Sequence, residues 1–177
     1  MIYNRDIRDR VARPAIPTPR LAATDVAVSG ARFRELPELA RLQRRAFSPG
    51  LAYGLGTLVL LWALPNVRFL VARRGDQVVG CAIGDRQSGD TRVINLAVDP
   101  DVQRRGIGTA LLRALEEALP KGNVLLMVEK ENTGAQALYR NEGYLPAGAA
   151  NDYYGRGRHG IWMQKHRVVG PPTKLRF

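Results

Sequence analysis

Two groups of residues in this chain have the types and spacing to do chemistry. The first is Gln103-Arg104-Arg105-Gly106-Ile107-Gly108-Thr109. Its glycines let the backbone come close to a ligand with no Cβ in the way. Two arginines add positive charge, and the loop runs into a helix N-terminus, where N–H groups are unsatisfied and the helix dipole is positive. Together these suit a pyrophosphate. A short Gly-x-Gly also serves as an ordinary strand-to-helix turn with solvated arginines, so the loop alone leaves both readings open. The second group is Asn132-Thr-Gly-Ala-Gln-Ala-Leu-Tyr139, followed by Glu142-Gly143-Tyr144. Asn132 suits an N-cap or a polar contact from a loop, and Gly143 suits a helix stop. Between them the helix places Ala135, Leu138 and Tyr139 on one side. Tyr139 is either a hydroxyl donor in a site or a tyrosine packed on a sheet.

The elements that must hold these groups can be read from periodicity. Val93 to Val98 is a short apolar run bounded by Asp99-Pro100, and reads as a buried strand. The helix after the arginine loop has Leu111, Leu115, Ala118 and Leu119 on one face and Arg113, Glu116 and Glu117 on the other, and Pro120 stops it. Asn123 to Glu129 is a second apolar strand, which a right-handed crossover makes parallel to the first. Upstream, Val67–Arg73 and Val78–Arg86 form a hairpin, and with Thr91–Val98 they make an antiparallel meander. Earlier still lie a weak strand at Val26–Phe33, a helix at Glu35–Phe47 with Arg41, Arg44 and Arg45 exposed, and an apolar helix at Leu51–Leu64. Ile161–Gln164 is a last short strand, reached through the loop Asn151–Arg158. The order αα-βββ-α-β-α-β predicts an α/β (α+β) fold with a single mixed, twisted sheet flanked by helices.

Composition narrows the class. The 177 residues suffice for one domain with a substantial core, and 45% hydrophobic with 24% charged residues is ordinary for a globular protein. One cysteine, Cys81, excludes an internal disulfide framework and fits a reducing, cytoplasmic setting. With two histidines besides, no metal-ligand cluster is expected. The net charge of +11 is concentrated at the ends: residues 1–20 carry +3 and residues 165–177 carry +4. The chain divides into a flexible basic arm (1–24), a folded domain (25–166) and a basic tail (167–177). The tails either contact RNA or other nucleic acid, a ribosome or an acidic membrane surface, or simply keep the protein soluble or reflect a genome that favours arginine. Charged residues near Met1 replace the apolar core of a secretory signal, and the uncharged stretch Leu51–Leu64 is too short to span a bilayer, so it reads as a buried or groove-lining helix.

The pair of motifs Leu96-Ala97-Val98-Asp99-Pro100 with Gln103–Gly108, and Asn132-x-x-Ala135-x-x-Leu138-Tyr139 with Glu142-Gly143-Tyr144, resembles the GNAT superfamily of acetyl-CoA-dependent N-acetyltransferases. The likeness covers Val26 to Lys165. The segment Asn95 to Gly108 and the pair Tyr153-Tyr154 look most like its RimI group, which acetylates protein N-termini. The resemblance implies a GNAT fold with a central splayed strand pair, and acetyl-CoA as acetyl donor with no metal. The acceptor would be a protein N-terminus, a lysine or a small amine, and the state a monomer or homodimer. Carried over by position, Leu96, Ala97 and Val98 would offer backbone groups to the pantetheine arm. Gln103, Arg104, Arg105, Gly106, Ile107, Gly108 and Thr109 would cradle the pyrophosphate. Asn132 would hydrogen-bond near the thiol end, Tyr139 would protonate the leaving thiolate, and Tyr153 and Tyr154 would line the acceptor entrance.

One position departs from that group. Five residues before Asn132, where RimI proteins tend to carry a glutamate as general base, stands Met127. Glu129 lies two residues on and therefore on the same strand face. It either acts as base through a water or is an ordinary strand-end carboxylate. Arg156 and Arg158 in the following loop suggest an acidic acceptor. A dinucleotide-binding fold is a poor fit, because the third glycine position is Leu111 and a meander, not a βαβ unit, precedes the loop. A GNAT-like module that only binds acyl-CoA or RNA is the non-enzymatic alternative.

Overall fold

The computed structural model describes residues 26–167; the arm over 1–24 and, apart from Arg167, the tail over 167–177 lie outside the described residues. In chain order the elements are β1 (Ala27–Gly30), α1 (Leu36–Ala46), α2 (Leu55–Ala63), β2 (Val67–Arg74), β3 (Gln77–Gln87), β4 (Asp90–Val98), α3 (Ile107–Ala118), β5 (Val124–Glu129), α4 (Thr133–Asn141), β6 (Leu145–Ala150) and β7 (Gly160–Lys165). The seven strands form one sheet in the order β1-β2-β3-β4-β5-β7-β6. Every neighbouring pair is antiparallel except β4 and β5, which the α3 crossover makes parallel.

Each face of the sheet has its own apolar layer. On one, Ile107, Leu111, Leu112, Leu115 and Leu119 of the α3 segment pack with Tyr139, Tyr144, Val124, Leu126 and Met163. On the other, Leu36, Leu39, Ala40 and Leu42 of α1 and Leu58 of α2 cover Val67, Phe69, Val71, Cys81, Ile83 and Ala97. Strand alternation divides β5 between these faces: Val124, Leu126 and Val128 are buried, while Leu125, Met127 and Glu129 are half-buried on the opposite side.

Three expectations need correction. The first strand is shorter than Val26–Phe33, because the Glu35 carboxylate accepts the Arg32 N–H at 2.6 Å and turns the chain into a 3₁₀ turn at Phe33–Glu35. The apolar stretch Leu51–Leu64 is helical only from Leu55, since Gly50 takes φ +89° and Gly54 is extended. Nor is it a buried helix: Leu58 alone is fully covered, while Leu55, Leu60, Trp62 and Leu64 are exposed. An unforeseen strand, β6, pairs with the outer edge of β7. Its sequence Leu-Pro-Ala-Gly-Ala-Ala has no alternation, and proline is tolerated there because an edge strand need not donate on its free side.

Glu35 also closes the sheet edge. Arg73 of β2 grips it in a fork, Nε to Oε1 and Nη2 to Oε2, both at 2.7 Å, with both side chains only 10% exposed. The guanidinium holds the Glu35 carboxyl below its ordinary 4.5. A lowered carboxylate pKa stabilises the fold above about pH 4.5, and that contribution fades as the pH falls further. Glu35→Ala should cost about 3 kcal/mol, because it leaves a buried guanidinium unpaired. Chemical denaturation at pH 7 checks this, and the difference from the parent chain should shrink below pH 4.

Candidate active site

The site begins where β4 and β5 part. Their pairing covers only Thr91, Arg92 and Val93 against Val124, Leu125 and Leu126. Beyond that, β4 stays with β3 and β5 stays with β7, so a gap opens between Ile94–Val98 and Met127–Glu129. A bulge lies at its apex: Asn95 pairs with Ile83 and Val93 with Gly84, which leaves Ile94 as the extra residue.

Alternation decides which backbone groups face the gap. The Asp99 N–H bonds Val79 O on the β3 side at 2.9 Å, so Ala97 also turns its backbone to β3, while Leu96 and Val98 turn theirs to the gap. Of the three residues expected to offer backbone groups, Ala97 therefore does not. On the other side Lys130 N–H bonds His159 O at 2.9 Å beside β7, which leaves the Met127 carbonyl facing the gap. Tyr154 reaches it, its hydroxyl donating to Met127 O at 3.0 Å. Burial pushes the Tyr154 phenol well above its usual range.

Below the gap, the arginine loop enters α3. Arg104 and Gly106 both take left-handed backbone, at φ +57° and +80°. Gly106 is the N-cap and brings no side chain to cap the helix. Among the described residues the N–H groups of Ile107, Gly108 and Thr109 have no partner. The loop side chains divide in role. Ile107 is a core residue at 4% exposure, so only its backbone serves the loop. Gln103 donates to Val98 O at 3.1 Å, and Arg105 to Asp101 O at 3.3 Å. Arg104 is exposed. A Cβ on Gly108 would stand 2.9 Å from Leu138 Cδ1. That glycine therefore lets α3 approach α4, a packing role beside any role in the loop.

Asn132 caps α4, accepting the Ala135 N–H at 3.0 Å. Tyr139, one face further along α4, is buried, with its ring 5.7 Å from that of Tyr144. No hydrogen bond joins its hydroxyl to a described residue, and burial pushes its pKa up to about 12. It remains a neutral donor at physiological pH.

Glu129 has a partner that the sequence did not reveal. Arg158 binds both of its oxygens, at 2.6 and 3.0 Å. This favours the role of a strand-end carboxylate that anchors the loop before β7. It also absorbs Arg158, one of the two arginines that suggested an acidic acceptor. Tyr153 is 54% exposed and sits edge-on to Tyr154 and to Trp162, with centroids at 4.9 and 6.2 Å. Trp162 lies directly across from Met127 in the β5–β7 ladder. It belongs to the same surface and was missed, although the period-two pattern of β7 could have found it. Gly160 makes room for this surface: a Cβ there would lie 2.5 Å from Met127 Sδ.

The acetyltransferase (GNAT) domain family matches residues 65–146. An uncharacterized N-acetyltransferase of Methanocaldococcus jannaschii is 30% identical over 144 residues, covering 78% of this chain and 91% of the relative. The chain belongs to the GNAT acetyltransferase family. It is also 38% identical to the N-alpha-acetyltransferase RimI of Mycobacterium tuberculosis over 96 residues, which cover 52% of this chain and 61% of that protein. The ribosomal-protein-S18-alanine N-acetyltransferase of Escherichia coli shares the fold, with a TM-score of 0.73 at 24% identity, covering 86% of this chain and 99% of that one. As a GNAT enzyme, the chain transfers an acetyl group from acetyl-CoA to an amine. The residues present fit that donor: an open strand edge for an amide-bearing arm, and uncapped N–H groups beside arginines for a pyrophosphate. Among the described residues, no helix is long and apolar enough to cross a membrane.

Proposed function

We propose that this GNAT enzyme acetylates the α-amine of a protein or peptide N-terminus. The observation that carries the reading is the β5 surface at the gap. Met127 stands at the position where the resemblance to RimI implies a glutamate base, and Glu129 has both oxygens held by Arg158. An amine must be neutral to attack. With an α-amine pKa of about 7.7–8.0, roughly a quarter to two-fifths is neutral at pH 7.5, whereas for a lysine side chain it is only about a thousandth. Where no described carboxylate is free to act as base, the α-amine therefore exceeds the lysine amine in reactive, neutral form by about two orders of magnitude, an advantage that the lysine's greater intrinsic nucleophilicity offsets only in part. The similarity to a protein named as an N-alpha-acetyltransferase supports the same acceptor.

Bound acetyl-CoA supplies the thioester carbonyl. The chain's part is to hold it and to meet the charges that develop. Leu96 and Val98 present backbone groups to the pantetheine amides and the thioester oxygen. Arg104, Arg105 and the N–H groups at Ile107, Gly108 and Thr109 bind the pyrophosphate, and Gln103 secures Val98. Asn132 orders the start of α4, so that Tyr139 points its hydroxyl at the sulfur. The acceptor nitrogen forms the C–N bond as the C–S bond breaks, its surplus proton leaves to water, and Tyr139 hydrogen-bonds the departing thiolate. Tyr153, Tyr154 and Trp162 flank the acceptor.

The test is the pH dependence of kcat/KM on a peptide with a free α-amine and blocked lysines. It should rise as the amine loses its proton and level off above about pH 8. Glu129→Gln should keep that profile and hold kcat within about threefold, where loss of a general base would cost about a hundredfold or more. A hundredfold loss in that variant would make Glu129 the base.

A further inference from the structure

The diverging half of β4 lacks the neighbour a strand in the middle of a sheet would have. Among the described residues only β3 pairs with it from Asn95 to Val98, yet this segment must present its free edge in a fixed direction. The support comes from α1. Gln43, fully buried, forms a reciprocal amide pair with Asn95 at the bulge: Gln43 Nε2 donates to Asn95 Oδ1 at 2.7 Å, and Asn95 Nδ2 donates to Gln43 Oε1 at 3.2 Å. Two residues on, Arg45 forks onto Asp99, at 2.8 and 2.9 Å, and its Nη2 also reaches Asp101 at 2.7 Å. Asp99 is 7% exposed and accepts the Asp101 N–H at 3.1 Å, opening the 3₁₀ turn Pro100–Val102 that leads into the arginine loop.

One helix therefore grips both ends of the segment Asn95–Asp99. Apolar side chains could fill the same space at similar or greater stability. What a paired amide and a bidentate ion pair add is direction, because both tolerate only a narrow range of angles. We infer that Gln43 and Arg45 are positioning residues for the donor: they aim the open edge of β4 and set the turn into the arginine loop. The inference rests on acetyl-CoA lying along β4, as proposed above.

Isothermal titration of the full chain with acetyl-CoA, joined to steady-state kinetics, tests this. Arg45→Ala should raise the acetyl-CoA Kd and KM about tenfold, with a much smaller change in kcat. Arg45→Lys should recover part of the loss. Asp99→Asn keeps the cap on the turn but loses the ion pair, so it should match Arg45→Ala, and the double variant should be no worse than either. Arg44→Ala removes the same charge one residue away and should behave as the parent. Gln43→Met, similar in volume, should weaken the donor several-fold. Unchanged Kd in a folded Arg45→Ala, judged by its thermal unfolding, overturns the inference. So does a weak Arg45→Ala beside an unaffected Asp99→Asn, which would mean that Arg45 touches the donor directly. If the parent chain itself fails to bind acetyl-CoA, the placement of the donor falls, and the inference with it.

Discussion

Tyr139→Phe should lower kcat by roughly 10- to 150-fold and leave the acetyl-CoA Kd within about twofold, the range set by one hydrogen bond to a charged group at about 1.5–3 kcal/mol. Burial lifts the Tyr139 phenol to about 12. A coenzyme thiol resembles a free thiol with a pKa of about 8.5, so full proton transfer from Tyr139 to the thiolate is uphill. In the proposed role its contribution would be a hydrogen bond that exists only once charge builds on sulfur, so kcat should fall while ground-state affinity should not. The ring survives in phenylalanine and keeps its contact with Tyr144, so the fold should be unaffected. The sign of the pKa shift gives a second check. A raised phenol pKa keeps the donor neutral through pH 10, so the plateau in rate should persist and decline only as the pH nears about 12. A fall in rate beginning near pH 9 would count against Tyr139.

The second large effect is expected at Gly106. Its φ of +80° with ψ −1° is a conformation that a β-branched residue avoids. Gly106→Val should swing the turn toward ordinary backbone and carry the Ile107, Gly108 and Thr109 N–H groups off the pyrophosphate. Losing even two of these three charge-assisted hydrogen bonds corresponds to about a hundredfold or greater rise in the acetyl-CoA Kd. Titration calorimetry measures it, and an affinity within threefold of the parent would remove the loop from the donor site. Gly108 behaves differently. Its missing Cβ faces Leu138 of α4, so Gly108→Val should disturb the α3–α4 contact, and Tyr139 with it, as much as the phosphate loop.

What could be read from the sequence followed from strong periodicity. The stripe Leu111, Leu115, Leu119 specified α3, and the meander and its parallel crossover followed from short apolar runs separated by turn residues. The motif residues at the gap were legible for the same reason: they sit at the ends of those elements. The losses came where tertiary contacts override local pattern. The strand Leu145–Ala150 has no alternation to see and exists because β7 offers an edge. The segment Leu51–Leu64 is apolar enough to suggest burial, yet Leu55, Leu60, Trp62 and Leu64 remain on the surface and only Leu58 of its large side chains is fully buried. Glu129 and Arg158 lie 29 residues apart, and only the β5–β7 ladder, with Glu129 opposite Gly160, brings them together. The same holds for Gln43 and Asn95, separated by 52 residues.

A single competition bears most directly on the proposed acceptor. A peptide carrying both a free α-amine and one lysine, incubated with the enzyme and acetyl-CoA at pH 7.5, leaves its product to fragmentation mass spectrometry. The α-acetyl product should be the predominant one, because far more of the α-amine is neutral at this pH. Predominant acetylation of the lysine, or turnover confined to small amines, would contradict the account.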